Sequence, residues 1–140
     1  QTNLDTPLNG GAEEAAPTQG AQVNKAKQRM LERMFEKKSC IGCNLRDLDL
    51  ADRDMSGFDL ERADFSGSNL QEADLSEANL KGALFQGTQL QGADLSEADL
   101  YRADFTTADL TDADLDEAKR DGADFSGAKG LVSASEEKAQ

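Results

Sequence analysis

Residues 93–110 read ADLSEADLYRADFTTADL, and this stretch counts in fives. In each unit an Ala precedes an Asp, then comes a Leu or Phe, and two further residues complete the five. Alternation with a period of two places the Ala and the Leu or Phe on one face of an extended chain and the Asp on the other. The two remaining positions suit a tight corner. The stretch therefore predicts a very short β-segment with an apolar inner face, followed by a corner.

The same pattern extends well beyond this stretch. From Leu45 to Phe125 a central residue falls at every fifth position, in seventeen consecutive units. The central residue is Leu eleven times and Phe four times, and the exceptions are Met55 and Arg120. Repeated corners of one hand wind such a chain into a solenoid in which neighbouring coils are hydrogen-bonded. We therefore expect an all-β solenoid over residues 40–130.

The phenylalanines predict how many sides each coil has. They are spaced by twenty residues, at Phe65, Phe85, Phe105 and Phe125. A coil of four units stacks all of them on one side, whereas a fifteen-residue coil would scatter them among leucines. The spacing therefore predicts about four coils of four sides each, with a stack of Phe rings in the core.

Tandem A-[DN]-[LF]-x-x units are the signature of the pentapeptide-repeat family, and residues 40–130 resemble that family throughout. The resemblance implies a right-handed quadrilateral β-helix. It also implies a protein that binds a partner and catalyses nothing.

The ends of the chain have other compositions. Residues 1–20 contain both prolines and few large apolar side chains, which predicts a disordered leader or tether. Residues 21–39 carry an apolar stripe at helical spacing and predict an amphipathic helix. We expect that helix to cap the first coil, in which larger side chains replace the inward alanines. Residues 131–140 are expected to form a flexible tail.

Composition excludes several classes of function. The net charge of −13 disfavours nucleic acid and anionic lipid as partners and favours a protein surface. The chain has no His, no phosphate-binding loop and no nucleophile with a plausible base. No apolar run approaches the length of a transmembrane helix. The sequence therefore predicts no catalytic residues, no metal, no cofactor and no transmembrane segment, in a protein that is monomeric when free.

Cys40 and Cys43 are the only cysteines. A zinc site needs about four ligands, which this chain does not offer. The five-residue register puts both side chains on the inner face of the first coil. We favour a structural disulfide. The alternatives are a reduced pair of small core residues and a thiol switch that loosens the cap.

One outward column of the predicted coil is entirely acidic, with one carboxylate per coil. Its members are Asp54, Asp74, Asp94 and Asp114. The simpler interpretation is a solvated surface that keeps the coil edges soluble. The alternative is a sensor for cations or protons, since neighbouring like charges raise one another's pKa.

Basic residues gather on a different corner. Five of the eight basic residues in 40–130 fall at or near the corner after the fourth side. The chain's one Tyr lies there too, beside the one apolar residue of the outward Asp column. Exposed aromatic and Arg side chains are typical of binding hot spots. We therefore predict a partner-binding surface formed by Arg62, Lys81, Leu84, Tyr101 and Arg102.

Three hypotheses about function follow. The helix, Cys pair and short coil resemble the small lumenal pentapeptide-repeat proteins of cyanobacteria and chloroplasts. That resemblance implies a thylakoid-lumen protein that binds or helps to assemble a photosynthetic membrane complex, such as the lumenal face of a photosystem. The periplasm and the cytoplasm are the alternative locations. A second hypothesis is a DNA-mimicking inhibitor of DNA gyrase. The third, and least supported, is a thiol redox carrier or sensor that uses Cys40 and Cys43.

Overall fold

The computed structural model describes residues 15–131, with side chains described from Lys25 onward. The chain consists of two compact units, of which the first ends at Glu36 and the second begins at Lys37. Among the described residues, the first unit contains one helix and the second contains the repeats. Most of the predicted leader, before residue 15, and the predicted tail, beyond residue 131, lie outside the described residues.

The helix, α1, spans Ala15–Lys37. It thus includes residues 15–20, which the sequence analysis assigned to a leader. Pro17 does not prevent this, because a proline in the first turn lacks only an N–H that has no partner within the helix. Lys38 follows in the left-handed conformation, with φ of 56°, which is a common way for a helix to end.

Parallel bridges join the coils of the repeat unit. Each bridge pairs residues that are twenty apart, from Ser39 with Asp59 to Asp109 with Lys129. Every bridge is a single residue long, because only three residues on each side of the coil are extended. No longer strand occurs among residues 38–131. The twenty-residue register and four corners per coil agree with the four-sided coil that the sequence predicts.

The corners of the coil are four-residue turns. In one of them the Ala63 N–H donates to the Leu60 carbonyl at 3.0 Å, and Arg62, the third residue, has φ of 59°. A positive φ at this position is characteristic of a type II turn. Glycine adopts it freely, yet eleven other residues of the described part also have positive φ. Each costs about 1 kcal/mol in backbone strain.

The outward Asp and Asn side chains begin these corners. Asp64 Oδ1 accepts a hydrogen bond from the Ser66 N–H at 2.9 Å, and Asn69 Oδ1 accepts one from the Gln71 N–H at 3.0 Å. This local bond mimics a backbone turn. The Asp column of the repeat therefore has a structural task besides carrying charge.

Stacked Phe rings fill one side of the core. Ring centroids are 5.1 Å apart between Phe65 and Phe85, 4.6 Å between Phe85 and Phe105, and 5.0 Å between Phe105 and Phe125. The first three rings are fully buried, while Phe125 is partly exposed. This is the stacking expected from their spacing. Leucines occupy equivalent positions on the other sides.

Candidate functional site: a basic edge of the coil

One corner of the coil collects the cations Arg62, Lys81 and Arg102. We call it the basic edge and define it by its turn residues, 41–42, 61–62, 81–82, 101–102 and 121–122. Backbone hydrogen bonds stack these turns, with the Arg62 N–H donating to Lys81 O and the Gly82 N–H to Tyr101 O, both at 2.8 Å. The coil register therefore brings four of the five predicted partner-binding residues onto one edge.

A shallow groove with a volume of about 230 Å³ opens on the basic edge. It is lined by Glu61, Arg62, Lys81, Gly82, Tyr101 and Arg102. Tyr101, the one Tyr of the chain, is 45% exposed. The groove therefore combines cations with an exposed aromatic ring on a coil that is otherwise acidic.

Leu84, the fifth predicted residue, does not line the groove. It lies on the adjoining side, where it is bridged to Asp64 and Asp104. Its side chain is exposed, and it interrupts an outward column that is otherwise polar. Leu84 thus lies beside the basic edge and not within its groove.

Sequence reasoning missed Ile41, the most exposed large hydrophobic residue of the described part at 50%. It occupies the first turn of the basic edge, in the same column as Glu61, Lys81 and Tyr101. Counting back from Tyr101 in steps of twenty would have found it. The basic edge therefore carries exposed apolar side chains at two heights.

The cations of the groove differ in their pairing. Arg62 lies 3.6 Å from a carboxylate oxygen of Glu61, and Lys81 lies 3.7 Å from one of Asp99. The Arg102 guanidinium instead lies 5.4 Å from the centroid of the Tyr101 ring, a cation–π contact. Two of the three cations therefore have acidic neighbours and the third has an aromatic one.

Two glycines allow the arginine side chains to lie along the edge. A Cβ atom on Gly82 would lie 3.2 Å from Arg62 Cγ, and one on Gly122 would lie 3.0 Å from Arg102 Cγ. Each arginine stem therefore crosses the glycine of the next coil. Both glycines also have positive φ, so a larger residue would meet backbone strain as well as crowding.

The Cys40–Cys43 disulfide closes the first turn of the basic edge. The Cα atoms are 5.4 Å apart, and Ile41 lies at the exposed turn between them. In the next coil the same positions are Leu60 and Ala63, which only a backbone hydrogen bond joins.

Cys40 is buried, but Cys43 is partly exposed. The predicted disulfide is present, but Cys43 is less buried than its inner-face position predicts. Within the repeat unit, Cys43 belongs to the first coil and has a neighbouring coil on one side only.

The outward acidic column of Asp54, Asp74, Asp94 and Asp114, which we call the acidic ladder, is present in the structure. Bridges connect Asp54 to Asp74, Asp74 to Asp94, and Asp94 to Asp114. The hydroxyl and the backbone N–H of Ser56 both donate to Asp54 and hold its pKa below the usual range. A proton sensor built on mutual repulsion would need a raised pKa there, so Asp54 does not have the shift that the sensor hypothesis requires.

Other corner carboxylates show the same effect. Burial acts to raise the pKa of Asp104, but hydrogen bonds from Thr106 and the Gln86 amide outweigh it and lower the pKa. Hydrogen bonds from Thr111 and Ser126 likewise lower the pKa values of Asp109 and Asp124. The hydroxyl residues that follow the Asp therefore stabilise its charged form.

Among residues 15–131 no three His, Cys, Asp or Glu side chains are grouped so that they could hold a metal ion. Within the same residues, no helix combines the length and apolar character needed to span a membrane.

Comparison with known proteins identifies the repeat. A family model described as pentapeptide repeats (eight copies) matches residues 43–82, 73–112 and 106–129. No curated protein sequence matches the chain significantly.

Two pentapeptide repeat proteins are among the solved structures that resemble this one. A pentapeptide repeat protein from the Arabidopsis thaliana thylakoid lumen is 43% identical, with a TM-score of 0.56, over 60% of this chain and 62% of its own. The chain thus matches less than two thirds of that protein's length. The pentapeptide repeat protein Rfr23 from the cyanobacterium Cyanothece 51142 is 24% identical, with a TM-score of 0.59, over 74% of this chain and 98% of its own. The second similarity concerns the fold alone.

Proposed function

The chain belongs to the pentapeptide-repeat family, whose members fold as right-handed quadrilateral β-helices, and from that premise we propose that it is a non-enzymatic protein-interaction module that docks through its basic edge. Proteins of this family are generally structural or interaction modules. The repeat fixes the backbone, so function in such a coil depends on which side chains the corners present. The basic edge is the corner that departs most from the acidic pattern.

The groove at Tyr101 is the observation that carries this proposal. Tyr and Arg are enriched in binding hot spots because each offers a large contact area together with a polar group. Here they occur together, exposed, and next to Lys81 and Arg62. Rim charges of this kind favour association with a surface of opposite sign.

We propose the thylakoid lumen as the location and a photosynthetic membrane complex as the partner. Similarity to the Arabidopsis thylakoid-lumen protein supports this proposal, although the match covers only part of each chain. The Cys40–Cys43 disulfide supports it as well, because disulfides persist in oxidising compartments. The periplasm and the cytoplasm are the alternatives.

We further propose that the repeat unit of residues 40–130 has about four coils and that α1 caps its first coil. The apolar stripe of residues 21–39 needs an apolar partner. Phe58 stands at an inward position of the first coil where every later coil has Ala, and Leu48 stands at one where later coils have Ser, Thr or Ala. A solenoid also requires a cover at its ends to stay soluble.

The test compares two double variants of the full chain. Tyr101→Ala with Arg102→Glu removes the aromatic contact and reverses the charge of the edge. Capture of a thylakoid membrane complex by this variant should weaken by about thirtyfold or more, since a single hot-spot residue contributes about 2 kcal/mol or more. Folding should be nearly unaffected, because both side chains are exposed.

Asp74→Asn with Asp94→Asn is the matched control, because it alters the acidic ladder and leaves the basic edge intact. Loss of capture in this control, with no effect at Tyr101, would contradict the proposal. Such a result together with inhibition of DNA supercoiling by gyrase would favour the DNA-mimic alternative. Loss of capture only after reduction of the Cys40–Cys43 bond would favour the redox alternative.

A further inference from the structure

We propose that Arg102, backed by the Tyr101 ring, recognises one carboxylate of an acidic side chain on the partner protein, an inference that rests on the proposed docking function. In this proposal the Arg102 guanidinium is the group that binds, and a carboxylate is the group that it binds on the partner. Three observations carry it: the pairing of the groove's cations, the comparison between two equivalent arginines, and the charge around them.

Arg102 is the groove cation whose charge is not balanced within the described part of the chain. Glu61 neutralises Arg62 at 3.6 Å, and Asp99 neutralises Lys81 at 3.7 Å. No carboxylate oxygen of the described residues lies within 4.0 Å of the Arg102 guanidinium. Arg102 therefore has its hydrogen-bonding fork available for an external anion.

Arg62 can be compared directly with Arg102. Arg62 occupies the same position in the column two coils away, with φ of 59° against 58° for Arg102. Each stem crosses a glycine of the next coil, Gly82 or Gly122. The surroundings differ in two ways, since Glu61 precedes Arg62 and Tyr101 precedes Arg102, and the next coil places Lys81 beside Arg62 and Asp121 beside Arg102. No Asp121 carboxylate oxygen lies within 4.0 Å of the Arg102 guanidinium. Where Glu61 supplies an internal carboxylate, Tyr101 supplies a neutral ring and leaves the carboxylate to come from outside.

A carboxylate fits this position better than a phosphate. Its single charge matches the one unbalanced cation, and its two oxygens match the planar guanidinium. A doubly charged phosphate would be repelled more strongly than a carboxylate by Glu61, which also lines the groove. The Tyr101 ring, with its centroid 5.4 Å from the guanidinium, is close enough for a cation–π attraction that supports the position of the charge.

The groove favours a side chain on a protein surface over a free small acid. A shallow groove of about 230 Å³ can bury little of a small molecule. A protein partner can also contact the exposed Ile41 and Tyr101 side chains along the same edge. The partner segment is therefore expected to present an acidic residue flanked by apolar ones.

The experiment is an NMR titration of the isotopically labelled full chain. The probe is the peptide acetyl-Ala-Phe-Glu-Leu-Ala-amide, and its Gln counterpart is the control peptide. The Glu peptide should shift the Tyr101 and Arg102 amide signals and the Arg102 Nε–H signal. The Gln peptide should bind at least about tenfold more weakly than the Glu peptide. Sodium acetate at the same concentration should have little effect.

Two equivalent variants make the titration specific. Arg102→Gln should weaken binding of the Glu peptide about tenfold or more, whereas Arg62→Gln should change it less than about twofold because Glu61 already pairs with Arg62. Arg102→Lys should restore only part of the affinity, because an ammonium group lacks the planar fork. Both Gln variants meet the same backbone strain, so differences between them report the charge.

Several results would overturn the inference. They are the absence of shifts with the Glu peptide, equal binding of the Gln peptide, or an equal loss in Arg62→Gln and Arg102→Gln. Equal shifts with acetate would assign the site to free carboxylates and not to a protein side chain. Capture of a membrane complex that depends on Tyr101 but not on Arg102 would leave the docking function intact and reject only this inference. Failure of the unmodified chain to capture any partner would reject the docking function, whatever the peptides do.

Discussion

Each outward Asp of the repeat works at two levels. Its carboxylate accepts the backbone N–H two residues on, as in Asp64 with Ser66 at 2.9 Å, and so begins the corner. The same carboxylate contributes to the net charge of −13. Asn serves the structural task without the charge, as Asn69 does with Gln71. The charge of the surface can therefore vary while the corner is retained.

Acidification should destabilise the repeat unit only below the usual Asp range. The pKa values of Asp54, Asp104, Asp109 and Asp124 are lowered in the folded state. Groups of this kind contribute fully above the unfolded pKa, about 3.9, and lose the contribution as the pH falls through the lower folded values. The urea midpoint should therefore stay level from neutral pH to about 5 and fall below about 4.

Asp104→Asn with Asp124→Asn tests the cause, because Asn keeps the corner acceptor but does not titrate. The variant should fold at neutral pH and show a shallower fall in the urea midpoint on acidification. An unchanged acid profile would show that these two carboxylates are not responsible.

Phe85 is the residue at which truncation should cost most in the core. It is fully buried and stacks between Phe65 and Phe105 at 5.1 and 4.6 Å. Phe85→Ala should lower the free energy of unfolding by about 3–5 kcal/mol, measured by denaturant titration. Phe85→Leu should cost about 1.5 kcal/mol or less, because Leu fills the same position on other sides of the coil. Equal effects of Ala and Leu would argue against a tightly packed Phe column.

The first turn of the basic edge is the turn that a disulfide bond closes. The disulfide joins residues only three apart, so it restricts a very short loop of the unfolded chain. Replacing the pair by the residues of the next coil, Cys40→Leu with Cys43→Ala, should cost about 2 kcal/mol or less. Denaturant midpoints with and without reductant measure this. Reductant should act on the unmodified chain alone, and a collapse of the fold on reduction would contradict the prediction.

We propose α1 as the cap of the first coil, and truncation tests this at the level of the element. Deletion of residues 1–38 should expose unpaired backbone groups of the first coil and cause self-association, seen by light scattering. Deletion of residues 1–14 leaves α1 whole and should have no such effect. A monomeric and equally stable product of the longer deletion would assign α1 another task, such as binding the partner.

The molecule as a whole is acidic, with a net charge of −13, and the basic edge carries three of its fifteen basic residues. Docking through one unbalanced arginine should depend only weakly on salt, with the dissociation constant rising less than about tenfold between about 50 and 200 mM. A mimic of nucleic acid that engages many cations would lose about a thousandfold or more over the same range. Binding measured across a salt series separates the two, and a steep dependence would contradict docking through Arg102.

Much of the fold was predictable because the same five-residue pattern recurs in seventeen consecutive units. Spacing alone predicted the four-sided coil, the Phe column and the position of Arg62, Lys81, Tyr101 and Arg102 on one edge. The partner of each cation could not be predicted from the sequence. The pattern does not indicate that Arg62 forms an ion pair with Glu61 while Arg102 forms a cation–π contact with Tyr101. These contacts depend on the side-chain conformations of neighbouring coils.

Two further details also required the structure. Ser68 and Thr88 replace inward alanines and look like defects in the sequence, yet both are buried. The Thr88 hydroxyl donates to the Phe65 carbonyl at 2.8 Å, and the Ser68 hydroxyl donates to that of Leu45. Such bonds join residues 23 apart, a separation that the five-residue pattern does not indicate.

The twenty-residue register also has a consequence for how such a gene can change length. Deleting residues 86–90 would keep every remaining inward residue inward, because the spacing of five is preserved. It would nevertheless turn everything after the deletion by one side of the coil. Tyr101 would then leave the column of Lys81 for that of Ser76, and Phe105 would leave the Phe column. Losses or gains of five residues therefore conserve the fold while erasing the binding edge, and only multiples of twenty keep the binding edge and the Phe column in register.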